Sequence, residues 1–174
     1  PSWFVRVDGD TISLITSERL VVDVDRFDEL LDRAAAFDPD DPREALDAYL
    51  EACELYRGDL LDGLDTGDSE AARDAVYFAA LRVRGRFIGA ATRAADLLLA
   101  MGAAARAAQL AVRAARAEPL NESALRVLAS SLLAQRRLGA ASDVLHRLLG
   151  HLEDLEIAPE ADTLVLAWRL GLRE

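Results

Sequence analysis

The stretch Ala95–Pro119, ADLLLAMGAAARAAQLAVRAARAEP, decides the fold. Apolar residues recur at helical spacing on both sides of Gly102, and a proline follows the second apolar segment. A glycine after one such segment and a proline after the next are typical of two helices joined by a tight turn. Small residues allow the two helices to approach closely, and here the second helix carries Ala107, Ala111 and Ala114. The stretch therefore predicts a closely packed helix pair.

The pattern returns 34 residues further along the chain, which is the period of tetratricopeptide repeats. Small and apolar positions of the two units align as Ala95 with Ala129, Leu98 with Leu132, Ala107 with Ala141, and Ala111 with Leu145. The second unit is degenerate, because Arg136 replaces the turn glycine and Glu153 replaces the closing proline. The sequence thus predicts a helical-repeat-like array that is not regular.

Helical periodicity covers most of the remaining chain. A first helix begins at Asp23 and ends before Asp38, and a second begins at Pro42 and ends before Gly58. The later segments are a long helix from Ser69 to about Met101, then Ala103–Ala117, Asn121–Arg137, Ala140 to about Leu155, and a last helix opened by Pro159. The predicted fold is all-α, a tetratricopeptide-like antiparallel array of about seven helices.

The first residues follow a different pattern. Residues 3–8 and 11–16 alternate apolar and polar side chains around Asp8-Gly9, a favoured turn pair, which predicts a small N-terminal β-hairpin. Because the chain opens with Pro1 rather than Met, we expect a domain upstream, with residues 1–19 as its hairpin or linker. Residues 20–174 then form the helical domain.

The distribution of charge bears on the partners. The net charge is −11, and every basic residue is an arginine. Residues 1–68 hold 19 acidic side chains against 6 arginines, which argues against direct nucleic-acid binding by this chain. No apolar run reaches the roughly 18 residues needed to span a bilayer, so we expect no membrane association and a cytoplasmic location.

Residue patterns for catalysis, metal binding or cofactor binding are missing from the sequence. It has no glycine-rich phosphate loop and no Gly-x-Ser-x-Gly elbow. The two histidines, His146 and His151, are five residues apart, which does not place them on one helix face. Cys53 is the single cysteine and has apolar neighbours at helical spacing, which indicates a core residue. We therefore predict a non-enzymatic domain without cofactor or metal.

The order of the segments is more specific than the repeat. Leu55-Tyr56-Arg57-Gly58-Asp59-Leu60-Leu61 comes before the long arginine-rich helix, and Pro119-Leu120-Asn121-Glu122 comes after it. Over about residues 20–172 this order resembles the bacterial transcriptional activator domain of the antibiotic regulatory proteins of actinomycetes and related signal-responsive regulators. The resemblance implies a module that follows a winged-helix DNA-binding domain.

Three kinds of protein partner follow from that resemblance: RNA polymerase, the regulator's own DNA-binding domain, or a second protomer in a homodimer. Two alternatives stay open at this point. One is a small-molecule effector sensor, with a pocket between the long helix and the repeats. The other is a tetratricopeptide adaptor unrelated to transcription.

Two sets of candidate site residues come from helix register. First helices build the concave face of a tetratricopeptide array, which indicates a partner-binding groove formed by Thr92, Asp96, Leu99, Ser123, Arg126, Ser130 and Leu133. In so short an array, the terminal helix is an alternative occupant of that groove. Four- and seven-residue steps also form a basic stripe on the long helix, Arg82, Arg86 and Arg93. The stripe is either solvated or paired with the acidic first half, or it is a docking surface.

Overall fold

The computed structural model describes residues 5–9, 11–14, 22–38, 40–63, 65, 67 and 69–172. Within them, seven helices follow one another with short connections except between the second and third. They are α1 (Asp23–Phe37), α2 (Pro42–Leu55), α3 (Glu70–Ala100), α4 (Ala104–Ala117), α5 (Glu122–Ala134), α6 (Leu138–Asp154) and α7 (Ala161–Arg169). The described part of the chain confirms the all-α class and the predicted number of helices.

Polar residues just before three of the helices cap their first turns. The Asp41 carboxylate accepts the backbone N–H groups of Arg43 and Glu44 at 3.1 and 3.2 Å at the start of α2. Ser69 caps α3 and Asn121 caps α5 in the same manner. Because such a cap satisfies backbone donors that no helical carbonyl can reach, these boundaries are local properties of the sequence.

The turn between α3 and α4 is built around Gly102, as the glycine suggests. Its φ angle is +80°, in the left-handed region. Gly102 donates its N–H to the carbonyl of Leu99 at 3.0 Å, and Ala103 donates to the carbonyl of Leu98 at 2.8 Å. This pair of bonds is the Schellman motif, which ends a helix by satisfying its last carbonyl groups.

Arg136 forms the same turn 34 residues later without being a glycine. Its φ angle is +60°, its N–H donates to the carbonyl of Leu133 at 2.8 Å, and Arg137 donates to the carbonyl of Leu132 at 2.9 Å. The degenerate unit therefore keeps the turn geometry. It also ends α5 at Ala134, three residues before the predicted end at Arg137.

Successive helices pack as pairs. The α1 helix lies on α2, α3 on α4 and α5 on α6, while α2 contacts α3, α4 contacts α5, and α7 packs against both α5 and α6. The aligned repeat positions are equivalent in the core, because Ala95, Ala129, Ala107 and Ala141 are all fully buried. Alanines at these contacts let neighbouring helix axes come close.

The structure describes only part of the predicted N-terminal hairpin, so the complete hairpin stays a prediction. Val5–Asp8 (β1) and Thr11–Leu14 (β2) pair antiparallel, with Val5 opposite Leu14. Residues 3, 4, 15 and 16 of the predicted strands lie outside the described residues. The assignment of residues 1–19 to an upstream domain is a prediction as well.

In the described part of the chain, none of the helices combines the length and the apolar character that a membrane crossing requires.

Candidate partner-binding groove

Two neighbouring cavities lie side by side on the face formed by α3, α5 and α7. The first has a volume of about 400 Å³ and lies between α3 and the start of α5. The second has a volume of about 330 Å³ and lies between α3, α5 and α7. Both are lined by Thr92, Asp96 and Ser123, so together they form one continuous groove.

Five of the seven predicted groove residues line these cavities: Thr92, Asp96, Ser123, Arg126 and Ser130. Leu99 and Leu133 do not line either cavity. They are partly buried against the core and precede the two Schellman turns, where α3 and α5 end. The structure thus brings five of the predicted residues together and places the last one on each helix outside the groove. The binding role of the set stays a prediction.

The α7 helix forms one wall of the groove without filling it. It contributes Asp162, Val165, Leu166 and Arg169, which helix register alone did not identify. An apolar pair in the sequence of α7 could have indicated that this helix presents a binding surface, because Val165 and Trp168 are three residues apart and lie on one face of the helix. Both are exposed, whereas Ala167 is fully buried. The terminal helix therefore covers the Arg126 end of the predicted set and leaves both cavities open.

Arg126 attaches α7 to α5. Its guanidinium donates to Glu160 Oε2 at 2.6 Å, to Thr163 Oγ1 at 2.9 Å and to Ser123 Oγ at 2.8 Å. The Glu160 N–H in turn donates to the carboxylate of Glu122 at 2.8 Å. The Arg126 side chain is only 16% exposed, although Glu160 is 57% exposed. The bonds to Thr163 and Ser123 are therefore the better shielded ones, and together the three bonds fix the groove wall.

Asp96 occupies the junction of the two cavities. Asp96 is exposed in the groove, and desolvation by neighbouring protein atoms is the main cause of its raised pKa, with the positive charges of Arg93 and Arg126 acting in the opposite direction. Neither arginine forms an ion pair with Asp96, because Arg93 binds Asp38 and Arg126 binds Glu160. One turn earlier, Thr92 Oγ1 is buried and has no hydrogen-bond partner among the described residues.

The basic stripe lies along α1. Each of its three guanidinium groups contacts a carboxylate of α1 or of the residue that follows α1. The pairs are Arg82 with Asp28 at 3.0 Å, Arg86 with Asp28 and Asp32 at 2.5 and 2.9 Å, and Arg93 with Asp38 at 2.5 Å. Of the two interpretations of the stripe, the structure thus shows pairing with the acidic first half, and its use as a docking surface stays a prediction.

A third cavity bears on the small-molecule alternative. It has a volume of about 270 Å³ and lies between α1, α3 and the segment that follows α2. Its walls include Val24, Phe27, Leu60 and Val83. Asp23, Arg57 and Asp59 line it as well. Ligand cavities usually have volumes of about 300–1,000 Å³, so this cavity is just below that range and suits only a small molecule.

The remaining candidate chemistry is limited. No group of three or more His, Cys, Asp or Glu side chains in the described residues could hold a metal ion. Cys53 is fully buried, and desolvation raises the pKa of its thiol to about 12. Its side chain therefore stays protonated at neutral pH and belongs to the core.

A sequence comparison identifies a family. The family model described as "Bacterial transcriptional activator domain" matches residues 22–170, a range that contains all seven helices. The search of curated proteins finds no match to this chain.

Proposed function

Because the chain belongs to the bacterial transcriptional activator domain family, we propose that it acts as the protein-interaction module of a transcription regulator. In this proposal a different domain binds DNA. The present chain contacts RNA polymerase, the regulator's own DNA-binding domain or a second protomer. The family is regulatory, and the proposed role requires no catalytic group.

The observation that carries this proposal is the groove formed by α3, α5 and α7. Helical arrays commonly bind partner segments on such a face, because first helices present side chains there from rigid elements. Arg126 holds α7 in place by bonds to Glu160 and Thr163. A surface that is fixed before binding loses little conformational entropy when a partner docks.

The charge of this chain supports the proposal that a different domain binds DNA. The net charge of −11 repels a phosphate backbone. Three arginines that could otherwise attract DNA (Arg82, Arg86 and Arg93) are already paired with carboxylates. We therefore expect that the chain alone gives no electrophoretic shift of duplex DNA at physiological salt.

The test of the proposal blocks the groove in the full-length regulator. Gly89 lines the first cavity, and no atom lies within 4 Å of the position that its Cβ would take. Gly89→Trp therefore fills the groove without a clash at its base. Gly150→Trp is the matched control, since Gly150 is an exposed helical glycine with equal room that lies on α6.

We expect Gly89→Trp to reduce transcription activated at the regulator's own promoter while operator binding is unchanged, and Gly150→Trp to affect neither. Unchanged activation with Gly89→Trp would show that the groove does not serve the regulator. A shift of DNA by the isolated chain would contradict the proposed separation of DNA binding.

The small-molecule sensor is the second candidate, and the cavity of about 270 Å³ near Phe27 and Val83 is the observation that favours it. A ligand that binds only the folded chain raises its melting temperature, and the rise grows with the logarithm of ligand concentration above the Kd. A thermal-shift screen of metabolites tests this candidate. It is supported if Val83→Phe, which narrows the cavity, abolishes the shift, and it fails if no compound stabilises the chain at high excess.

A further inference from the structure

From the charges in the groove we propose that the partner segment carries a basic side chain, arginine or lysine, and that Asp96 receives it. This inference rests on the proposed role of the groove and adds the chemical character of its occupant. It assigns a specificity-determining subsite at the junction of the two cavities.

The first argument is the balance of charge within the groove. Arg93 and Arg126 line it, but Asp38 and Glu160 bind them. The charged groups that remain without an ion-pair partner in the described residues are Asp96, Glu118, Asp162 and Arg169. Three carboxylates against one guanidinium leave the groove negative, so it attracts a cation and disfavours an acidic segment.

The second argument concerns the desolvation of Asp96. Neighbouring protein atoms partly desolvate the Asp96 carboxylate and raise its pKa, and the charges of Arg93 and Arg126 offset this effect only in part. A cationic side chain in the groove would supply the missing partner. Perturbed carboxylates of this kind concentrate at functional sites in clefts.

The third argument is the hydroxyl group of Thr92. Its Oγ1 is buried and has no hydrogen-bond partner among the described residues, although it lies one turn from Asp96 on the same face of α3. Buried polar atoms without a partner are uncommon in folded proteins. A guanidinium or ammonium group bound at Asp96 has several N–H donors, and rotation of the Thr92 side chain toward the groove would let its hydroxyl accept one of them.

The groove also has room for a peptide backbone. Gly85 and Gly89 line the first cavity beside Thr92, and the space above each is open. Without Cβ atoms at these two positions, a partner segment can lie close to the backbone of α3. The overall charge of −11 additionally raises the association rate of a basic partner.

The experiment selects random dodecapeptides from a display library on this chain, with the Gly89→Trp chain in solution as competitor to remove peptides that bind elsewhere. A recovered peptide is then synthesised, and its Kd is measured by fluorescence anisotropy. The proteins are wild type, Asp96→Asn and the control Asp143→Asn, which removes an exposed carboxylate on α6. A second peptide replaces the basic residue by a neutral one, citrulline for arginine or norleucine for lysine.

We expect arginine or lysine at one dominant position of the recovered peptides. Asp96→Asn should weaken binding about tenfold or more, as expected for loss of a charged hydrogen bond, and Asp143→Asn should leave it unchanged. The neutral peptide should bind wild type about tenfold more weakly and should bind Asp96→Asn no more weakly than the basic peptide does.

Two results would overturn the inference, and they are distinguishable. Groove-dependent peptides without a basic residue, or with affinities that Asp96→Asn does not change, would refute the subsite and leave the groove as the binding surface. If every recovered peptide binds Gly89→Trp as well as wild type, the subsite and the proposed role of the groove both fail.

Discussion

Arg126 on α5 donates a hydrogen bond to Thr163 on α7 at 2.9 Å. Thr163 is fully buried, and the same guanidinium binds Glu160, which precedes α7. One side chain of the degenerate repeat therefore positions the last helix and with it one wall of the groove. The structure of the proposed site depends on this link between two helices that lie on opposite sides of α6 in the sequence.

Replacement of Arg126 tests that link. Arg126→Met keeps much of the side-chain volume and removes the charge-assisted bonds, so we expect it to lower the free energy of unfolding by about 1–3 kcal/mol. Amide hydrogen exchange across Ala161–Arg169 should accelerate as well. The control Arg147→Met changes an exposed arginine on α6 and should alter stability by less than about 0.5 kcal/mol. Unchanged exchange in α7 would contradict the structural role of Arg126.

The Schellman turns at Gly102 and Arg136 make opposite predictions for reciprocal substitutions. Arg136 has a left-handed backbone, which is unfavourable for a residue with a Cβ. We expect Arg136→Gly to raise the free energy of unfolding by about 0.5–1 kcal/mol, and Gly102→Ala to lower it by about 1 kcal/mol. Urea denaturation measures both. A destabilised Arg136→Gly variant would show that the Arg136 side chain contributes more than its backbone costs.

Arg113 connects three helices by contacts that lysine cannot reproduce. Its guanidinium donates to the carbonyl of Cys53 at 2.6 Å and to Glu54 at 2.9 Å, and it lies over the ring of Phe87 at 5.6 Å. Arg113→Lys keeps the charge but loses this planar geometry, so we expect a loss of about 1–2 kcal/mol in urea denaturation.

Arg116→Lys is the control for that substitution, because Arg116 is an exposed arginine of the same helix. It should be neutral within about 0.5 kcal/mol. Equal losses for the two variants would mean that the contacts of Arg113 do not stabilise the fold.

Asp38 and Asp96 should show opposite dependences of stability on pH. Hydrogen bonds from Arg93 lower the pKa of Asp38, so its contribution is present above the unfolded pKa of about 3.9 and is lost as pH falls through the lower folded value. Asp38→Asn should therefore lower Tm at pH 7 by about 2–4 °C, with the difference from wild type vanishing in acid.

The raised pKa of Asp96 gives the opposite dependence of stability on pH. Its folded state binds the proton more tightly than the unfolded state, so stability falls as pH rises from about 3.9 through the folded pKa of Asp96. Asp96→Asn should raise Tm at pH 7 and have no effect in acid. Thermal unfolding across this pH range checks both residues, and a lowered Tm of Asp96→Asn at pH 7 would show that Asp96 is stabilised in the free chain.

The reactivity of Cys53 tests the packing between α2 and its neighbours. Because desolvation raises the pKa of the thiol to about 12, a disulfide reagent should not modify it in the native chain at pH 8, and modification should follow global unfolding. Rapid labelling without denaturant would show that α2 opens locally, and this would contradict the buried position of Cys53.

The sequence determined the number of helices and the starts of α1, α2, α3 and α5 to within one residue, because these starts depend on groups within one turn of each other. The α6 helix begins at Leu138 rather than at the predicted Ala140, and α7 begins at Ala161 rather than at Pro159. Asp41, Ser69 and Asn121 cap by contacts over two or three residues. The 34-residue alignment placed Arg136 opposite Gly102, although it did not show that arginine keeps the same backbone conformation. The sequence also determined the strongly acidic net charge, since net charge does not depend on the fold.

Only the tertiary structure decided which charged groups are paired and which remain available. The stripe of Arg82, Arg86 and Arg93 is visible in the sequence, but its carboxylate partners lie about fifty residues earlier, on or just after α1. Whether they meet depends on the rotation and spacing of packed helices, which local periodicity does not define. The same packing brings Arg126 to α7 and leaves Asp96 without an ion-pair partner among the described residues at the junction of the two cavities.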